Sequence, residues 1–150
     1  MEIKDGDTII FCLGEIDCRC HIHKYVHATP YQTIIDDIVI RYLNAIRLVV
    51  EVSQRNLKHV CVYNIVPPIH KDQVVEDPSY PFMGSDEERK DYVLYFNKKL
   101  KELCPAYKFV FFDVYDNYTD ADGFLRRDLS DGKVHIGDGR YIREFISTLL

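Results

Sequence analysis

No apolar run in these 150 residues approaches the ~18–20 that a membrane-spanning helix needs. Met1 does not lead into a basic-then-apolar signal segment either. Positive charge is in deficit: 19 Lys and Arg stand against 24 Asp and Glu, for a net charge of −5. That balance, with a pI near 5.6, argues against nucleic acid or an anionic membrane surface as the main partner. The cysteines number five, which is odd, and no second distant cysteine pair exists of the kind structural zinc uses. Cys12, Cys61 and Cys104 lie in or beside apolar segments, so they are expected to be buried, reduced thiols in a cytoplasmic protein. Internal repeats and low-complexity stretches are missing too. What remains is a single domain over 1–150, long enough to bury about two-thirds of its unfolded surface. Its 47% hydrophobic and 29% charged residues are ordinary for a globular chain.

Strand and helix patterns alternate along the sequence. Thr8–Leu13 is an unbroken apolar run behind a turn at Asp5-Gly6-Asp7, the pattern of a strand buried on both faces in a parallel sheet. Thr29-Pro30-Tyr31-Gln32 predicts a helix start, with Thr29 as cap, Pro30 first in the helix and Gln32 completing a capping box. Ile34, Ile35, Ile38, Tyr42, Leu43, Ile46, Val49 and Val50 recur at helical spacing until Gln54-Arg55-Asn56. A second buried strand is expected over His59–Val66, stopped by Pro67-Pro68. Residues 69–84 are irregular. Ser85 and Glu88 then form a capping box for a helix that ends at Cys104-Pro105. Phe109–Phe112 reads as the third strand, 113–123 as an acidic, aromatic loop, and roughly Gly139–Leu149 as a last helix. This order predicts an α/β fold of three αβα layers around a parallel sheet with right-handed crossovers.

Gly14-Glu15-Ile16-Asp17-Cys18-Arg19 follows the first strand directly, at the end of a parallel sheet where ligands bind. Gly14, Glu15, Asp17 and Arg19 are the candidate substrate-binding residues. An arginine there can grip a carboxylate, a phosphate or a sugar hydroxyl pair with its planar fork. It can equally pair with Asp17 or Glu15 and only stiffen the loop. Cys18, Cys20, His21, His23 and His27 offer soft metal ligands, but their spacing is not that of a zinc site. They are read as a histidine-rich loop with its thiols in packing; neither a metal nor another cofactor is expected. Tyr80, Phe82 and Met83 read as a loop tucked onto the body, with a lid or sugar-stacking wall as the alternative. Asp86-Glu87-Glu88-Arg89-Lys90 reads as a solvated helix face with acids in its first turn.

Two blocks carry a resemblance. Gly14-Glu15-Ile16-Asp17 stands where SGNH (GDSL-type) hydrolases have Gly-x-Asn-Asp, and Asp131-Gly132-Lys133-Val134-His135 stands where they have Asp-x-x-His before the last helix. The chain resembles the C-terminal portion of that flavodoxin-like fold, with about three of its strands. It is closer still to a subgroup met among genes for surface-glycan assembly. That subgroup shares Gly-Glu-Ile-Asp-Cys-Arg, a strand ending in Pro-Pro, a Glu-Arg helix start as at Glu88-Arg89, and Ser-Asp-Gly-x-Val-His-Ile as at Ser130–Ile136.

The resemblance implies an ester or acyl hydrolase acting on an acylated glycan or another small ester. His135 would be the base that activates a serine, and Asp131 would orient its imidazole. Three departures accompany it. The family's Gly-Asp-Ser nucleophile block would lie upstream, so the domain is expected to be incomplete at its N-terminus; Gly6-Asp7-Thr8 precedes a strand and reads as a turn. Ile16, which has no donor, replaces the asparagine that helps hold the oxyanion. His135 stands four residues after Asp131, not three. The alternatives are a non-catalytic sugar- or anion-binding form of the fold and, less favoured, a metal site at the Cys/His cluster. In the family's 2-1-3-4-5 strand order, Thr8–Leu13 would be left as an open edge, which predicts a homodimer through that strand.

Overall fold

The computed structural model describes residues 2–150. Three parallel strands form its sheet in the order β1 (Thr8–Phe11), β2 (His59–Tyr63), β3 (Val110–Phe112). Ile10 stands opposite Cys61, and Cys61 opposite Val110. Lys58 N–H donates to Asp7 O and Gly6 N–H to Asn56 O, which locks the entry of β1 to that of β2.

Side chains alternate between the faces with the period of two that a pleated strand imposes. Phe11, Val60, Val62 and Phe111 join one apolar cluster with helices α1 (Tyr31–Ser53) and α2 (Asp86–Leu103). Ile10, Cys61, Tyr63, Val110 and Phe112 join a second on the opposite face. There the short α3 (Tyr115–Tyr118) contributes Tyr118, and α4 (Arg140–Leu149) lays down Tyr141, Ile142, Phe145, Ile146 and Leu149. The Phe112 and Phe145 rings stack at 4.0 Å. Helices on both faces of a parallel sheet make the three-layer αβα architecture expected from the element order.

Several boundaries differ from expectation, each for a local reason. α1 begins at Tyr31, and Pro30, with ψ 138°, is its cap; no side chain caps it. The chain turns helical one residue late, so Thr29 stays outside and Gln32 closes no capping box. The Ser85–Glu88 box on α2 forms with both bonds, 3.2 and 2.8 Å. β2 stops at Tyr63 because side chains replace the ladder beyond it. Asn97 of α2 takes both backbone groups of Ile65 at 2.7 and 3.0 Å, and Asn64 Oδ1 accepts from Val114 N at 2.9 Å. β3 starts at Val110 because Phe109 N–H turns back to Cys104 O. The segment 113–123, expected as loop, contains α3.

β1 is an edge strand and only half-buried, contrary to the reading of a strand buried on both faces. Cys12 and Leu13, just past its end, are exposed, so Cys12 is not among the buried thiols; Cys18, Cys20, Cys61 and Cys104 are. Among the described residues no helix is long and apolar enough to cross a membrane.

Candidate active site

At the end of β1 the backbone turns through Gly14, at φ +104°. A side chain there would be strained by the left-handed conformation, and its Cβ would fall 2.4 Å from Ile65 Cδ1. Glycine therefore lets the strand end bend sharply over Ile65. The following residues coil into tight helical turns over Asp17–His21 and Ile22–Lys24, where sequence alone suggested a loop. Coiling sends Cys18, Cys20 and Ile22 into the core and brings residues four apart together on the outside.

The coiling also decides the partner of Arg19. Its guanidinium grips Glu15 with Nε at 2.6 Å and Nη2 at 3.1 Å, and Nη1 donates to Tyr80 O. Asp17 pairs with His21 at 3.1 Å instead. Arg19 has only 11% of its side chain exposed and lies 5.3 Å from the Phe82 ring. It stiffens the strand-end turn and ties it to the 69–84 segment.

The second half of the site is a closed turn before α4. Asp131 N–H donates to His135 O at 2.9 Å, and Ser130 bridges Ile136. Asp131 Oδ1 accepts from Lys133 N at 2.7 Å and His135 N at 3.3 Å, leaving Oδ2 for His135 Nδ1 at 3.2 Å. The extra residue between Asp131 and His135 is thus absorbed in the turn. Gly137 permits it: a Cβ there would lie 2.5 Å from Ser130 O and 2.8 Å from Asp131 N, both backbone atoms. Burial pushes the Asp131 carboxyl up, but the Lys133 N–H and then His135 outweigh it and hold it below the usual carboxylate range. An ionised Asp131 accepting from Nδ1–H leaves the imidazole lone pair on Nε2. That nitrogen has no hydrogen-bond partner among the described residues, and it is the atom a general base uses.

A groove of about 530 Å³ brings the halves together. Gly14, Glu15, Asp17 and His135 all line it, with Asp131 behind the imidazole. Ile16 lines it as well and supplies no donor there. Arg19 does not; it lines a smaller neighbouring slot. Sequence reasoning missed Tyr63, the last residue of β2, and Asn64 just beyond it, and read His21 only as part of the histidine-rich loop; all three line the groove. Tyr80 borders the groove while Phe82 is buried, so this loop is tucked down with one tyrosine at the site.

Among the described residues no serine is bonded to His135. Ser130 Oγ donates to Arg127 O at 3.2 Å and accepts from Gly132 N at 3.1 Å. Ser85 caps α2, and Ser53 and Ser147 bond to helix carbonyls. Among the described residues no three His, Cys, Asp or Glu side chains gather as metal ligands. His23 bonds to Tyr92 at 2.9 Å. Arg89 corrects the reading of 86–90 as a solvated face, since it is 2% exposed. Asp86 and the carbonyls of Met83 and Gly84 draw it inward, and the Phe82 ring lies 5.0 Å from its guanidinium.

No family model and no curated protein matches this chain. A solved structure from Streptococcus pneumonia, provisionally named a platelet activating factor, superposes with a TM-score of 0.62 at 20% identity. The match covers 96% of this chain and 57% of that one, so this chain spans a little over half the neighbour's length. At that identity the likeness shows the fold.

Proposed function

We propose that this chain carries the base half of an SGNH-type ester or acyl hydrolase site, with an acylated glycan as the substrate class. The observation that carries the reading is the His135 Nδ1–Asp131 Oδ2 contact of 3.2 Å in the groove lined by Gly14, Glu15 and Asp17. It supports the reading because a base oriented by a carboxylate is what acyl transfer to a hydroxyl needs. The groove also lies at the carboxyl ends of parallel strands, where such sheets bind ligands. The attacking group is not one of the serines held in the turns and helices described above. A purely binding role for the groove is the second reading, favoured by the commitment of Ser130 to its own turn.

Titration with an O-acetylated hexose, followed by amide and imidazole resonances, tests the site. Shifts are expected at Gly14–Asp17 and at the His135 ring. Saturable shifts confined to other elements would remove the groove as the substrate site.

We further propose that the open edge of β1 pairs with β1 of a second copy. Among the described residues β1 is hydrogen-bonded to β2 alone. Leu13 beyond it is 62% exposed, and Ile10 and Cys12 border an apolar groove of about 250 Å³ with Phe112 and Ile142. An unpaired apolar edge is normally covered, and two-fold antiparallel pairing covers both copies with the same contact. Sedimentation equilibrium of the 150-residue chain at high micromolar concentration should show a dimer; a clean monomer would rule this pairing out.

A further inference from the structure

One face of α1 is apolar and exposed over its C-terminal half. Ile34, Ile38, Ala45, Leu48 and Val52 fall in a single row along the helix, with Arg41 in the gap between Ile38 and Ala45 and Val49 beside it. Ile34 and Ile38 are half-buried, whereas Leu48, Val49 and Val52 are 59%, 47% and 72% exposed. The row is turned away from the core and from α2. Ile35, Val39, Tyr42, Leu43 and Ile46 make the buried face. Asp36 accepts from Tyr95 of α2 at 3.1 Å, and Asn44 and Arg47 meet Tyr107 just after α2. That leaves the row on the side of β1, the open edge of the sheet.

We propose that this row packs antiparallel against the same row of a second copy, as the helical layer of the β1-paired dimer. The contact rests on that pairing, and the geometry of the pairing leads to it. An antiparallel β1 pair has its two-fold axis perpendicular to the sheet, so both α1 helices stay on one face. α1 packs over β1 and β2, the strands it joins, through Phe11, Val60 and Val62. Its axis then lies half a strand spacing inside β1, and the two-fold axis half a spacing outside. The two helices therefore stand two spacings apart, about 10 Å, and packed helices stand about 8–10 Å apart. α1 runs back along the strands to Ser53, just before β2 starts at His59. Residues 46–53 cover about 12 Å of helix and lie along β1, whose four residues span about 13 Å. The two-fold axis thus passes between the C-terminal halves of the helices, where Leu48, Val49 and Val52 are exposed and Ala45 allows close approach. Area calls for the same contact. A stable dimer buries about 1,200–2,000 Å², more than a four-residue strand edge supplies by itself. Charge selects the antiparallel sense. α1 has no basic residue in its last turn, and Glu51 near that end is 65% exposed. An antiparallel neighbour brings its own Arg41, 79% exposed, toward that acidic helix end.

Isotope-filtered nuclear Overhauser spectra of mixed labelled and unlabelled 150-residue chain, at high micromolar concentration, test it. Contacts between copies are expected among the Leu48, Val49 and Val52 methyls. In sedimentation equilibrium Leu48→Glu should raise the dimer dissociation constant at least about tenfold, because it buries a carboxylate at the centre of the interface. Ile40→Glu should leave that constant within about twofold, as an ordinary surface substitution does; Ile40 is 47% exposed on the same helix but lies off the row. Equal dissociation constants for the two variants would overturn the helix contact. A dimer with protected β1 edge amides and no signal between the helices would also overturn it, and would leave the strand pairing standing. Helix contacts in a dimer whose β1 edge amides exchange as freely as in dilute monomer would uphold the row and overturn the strand pairing. A clean monomer would overturn both.

Discussion

The 150-residue chain alone is expected to release aryl acetates at the buffer rate, and His135→Ala is expected to leave that rate unchanged. A triad without its nucleophile loses about 10⁶-fold in rate and keeps only what binding and oxyanion donors contribute. Four of the five serines are committed elsewhere, and the fifth, Ser79 in the 69–84 segment, makes no hydrogen bond to His135 among the described residues. Ser130 is adjacent to Asp131 in sequence, yet its hydroxyl donates to Arg127 O and not to His135. Ser85 accepts from Glu88 N, Ser53 donates to Val50 O, and Ser147 donates to Arg143 O. Ile16 offers no side-chain donor where the resemblance calls for asparagine, and one such donor is typically worth about 10²–10³-fold. The measurement is initial-rate hydrolysis of p-nitrophenyl acetate, with a serine-directed phosphonate probe run in parallel. Turnover abolished by both His135→Ala and Ser130→Ala would sink the expectation and make Ser130 the nucleophile. Turnover abolished by His135→Ala and indifferent to every serine would point to water activated directly on Nε2.

That expectation was largely legible in the sequence, since it depends on residue types and their order along the chain. Gly14, Glu15 and Asp17 could be assigned to a site because parallel α/β folds bind ligands at the loops after their strands; His135 joined them through the resemblance. The pairing of Asp131 with His135 was implied by the resemblance, and the route of the extra residue through Lys133 N and Gly137 was not. What stayed hidden depended on long-range contacts. Arg19 could be read to pair with either Asp17 or Glu15; the coil at 15–24 selects Glu15, and the loop from another part of the chain adds Tyr80 O and Phe82, which the sequence does not reveal. Arg89 sits in a run of charges that reads as solvated, and its burial comes from Phe82 and the Met83 and Gly84 carbonyls folding back over the helix start. The end of β2 was set by Asn97, far from it in sequence, and by the Asn64 bond to Val114 N, and the start of β3 by Cys104 O. An alternation pattern carries no information about such partners.

The largest stability effect is expected at one of those hidden contacts, Asp86. Its carboxylate is the counter-charge of the buried Arg89. Oδ1 also accepts from Lys71 N at 3.2 Å, and Oδ2 takes His70 Nδ1 at 2.8 Å. The His70 ring in turn stacks on Phe124 at 3.8 Å. Asp86→Ala would strand the Arg89 guanidinium in the interior without an opposite charge. Breaking a fully buried pair costs about 3–5 kcal/mol. Asp86 is 30% exposed, so solvent screening reduces the expected loss to about 2–3 kcal/mol. That is a large share of the about 5–15 kcal/mol that holds a domain folded. Asp86→Asn should lose less, because an amide still accepts from Lys71 N and Arg89. The pH dependence has a definite sign. Burial pushes the Asp86 carboxyl up, but His70, the Lys71 N–H and Arg89 outweigh it and hold it below the usual range. A carboxylate with a depressed folded pKa contributes its full stabilisation above its unfolded value, near 3.9. It loses that contribution as pH falls through the folded value. Urea unfolding from neutral pH downward should therefore show a constant gap between native protein and Asp86→Ala to about pH 5, closing below about pH 4. A gap under about 0.5 kcal/mol at neutral pH, the size of an ordinary surface substitution, would show that Arg89 is held by its carbonyls and Phe82 without the carboxylate. A gap that widens on acidification would show that Asp86 is protonated in the folded protein. Because Asp86 and Arg89 together anchor the 69–84 segment that places Tyr80 at the groove, the alanine variant should also weaken O-acetylated hexose binding in whatever fraction remains folded.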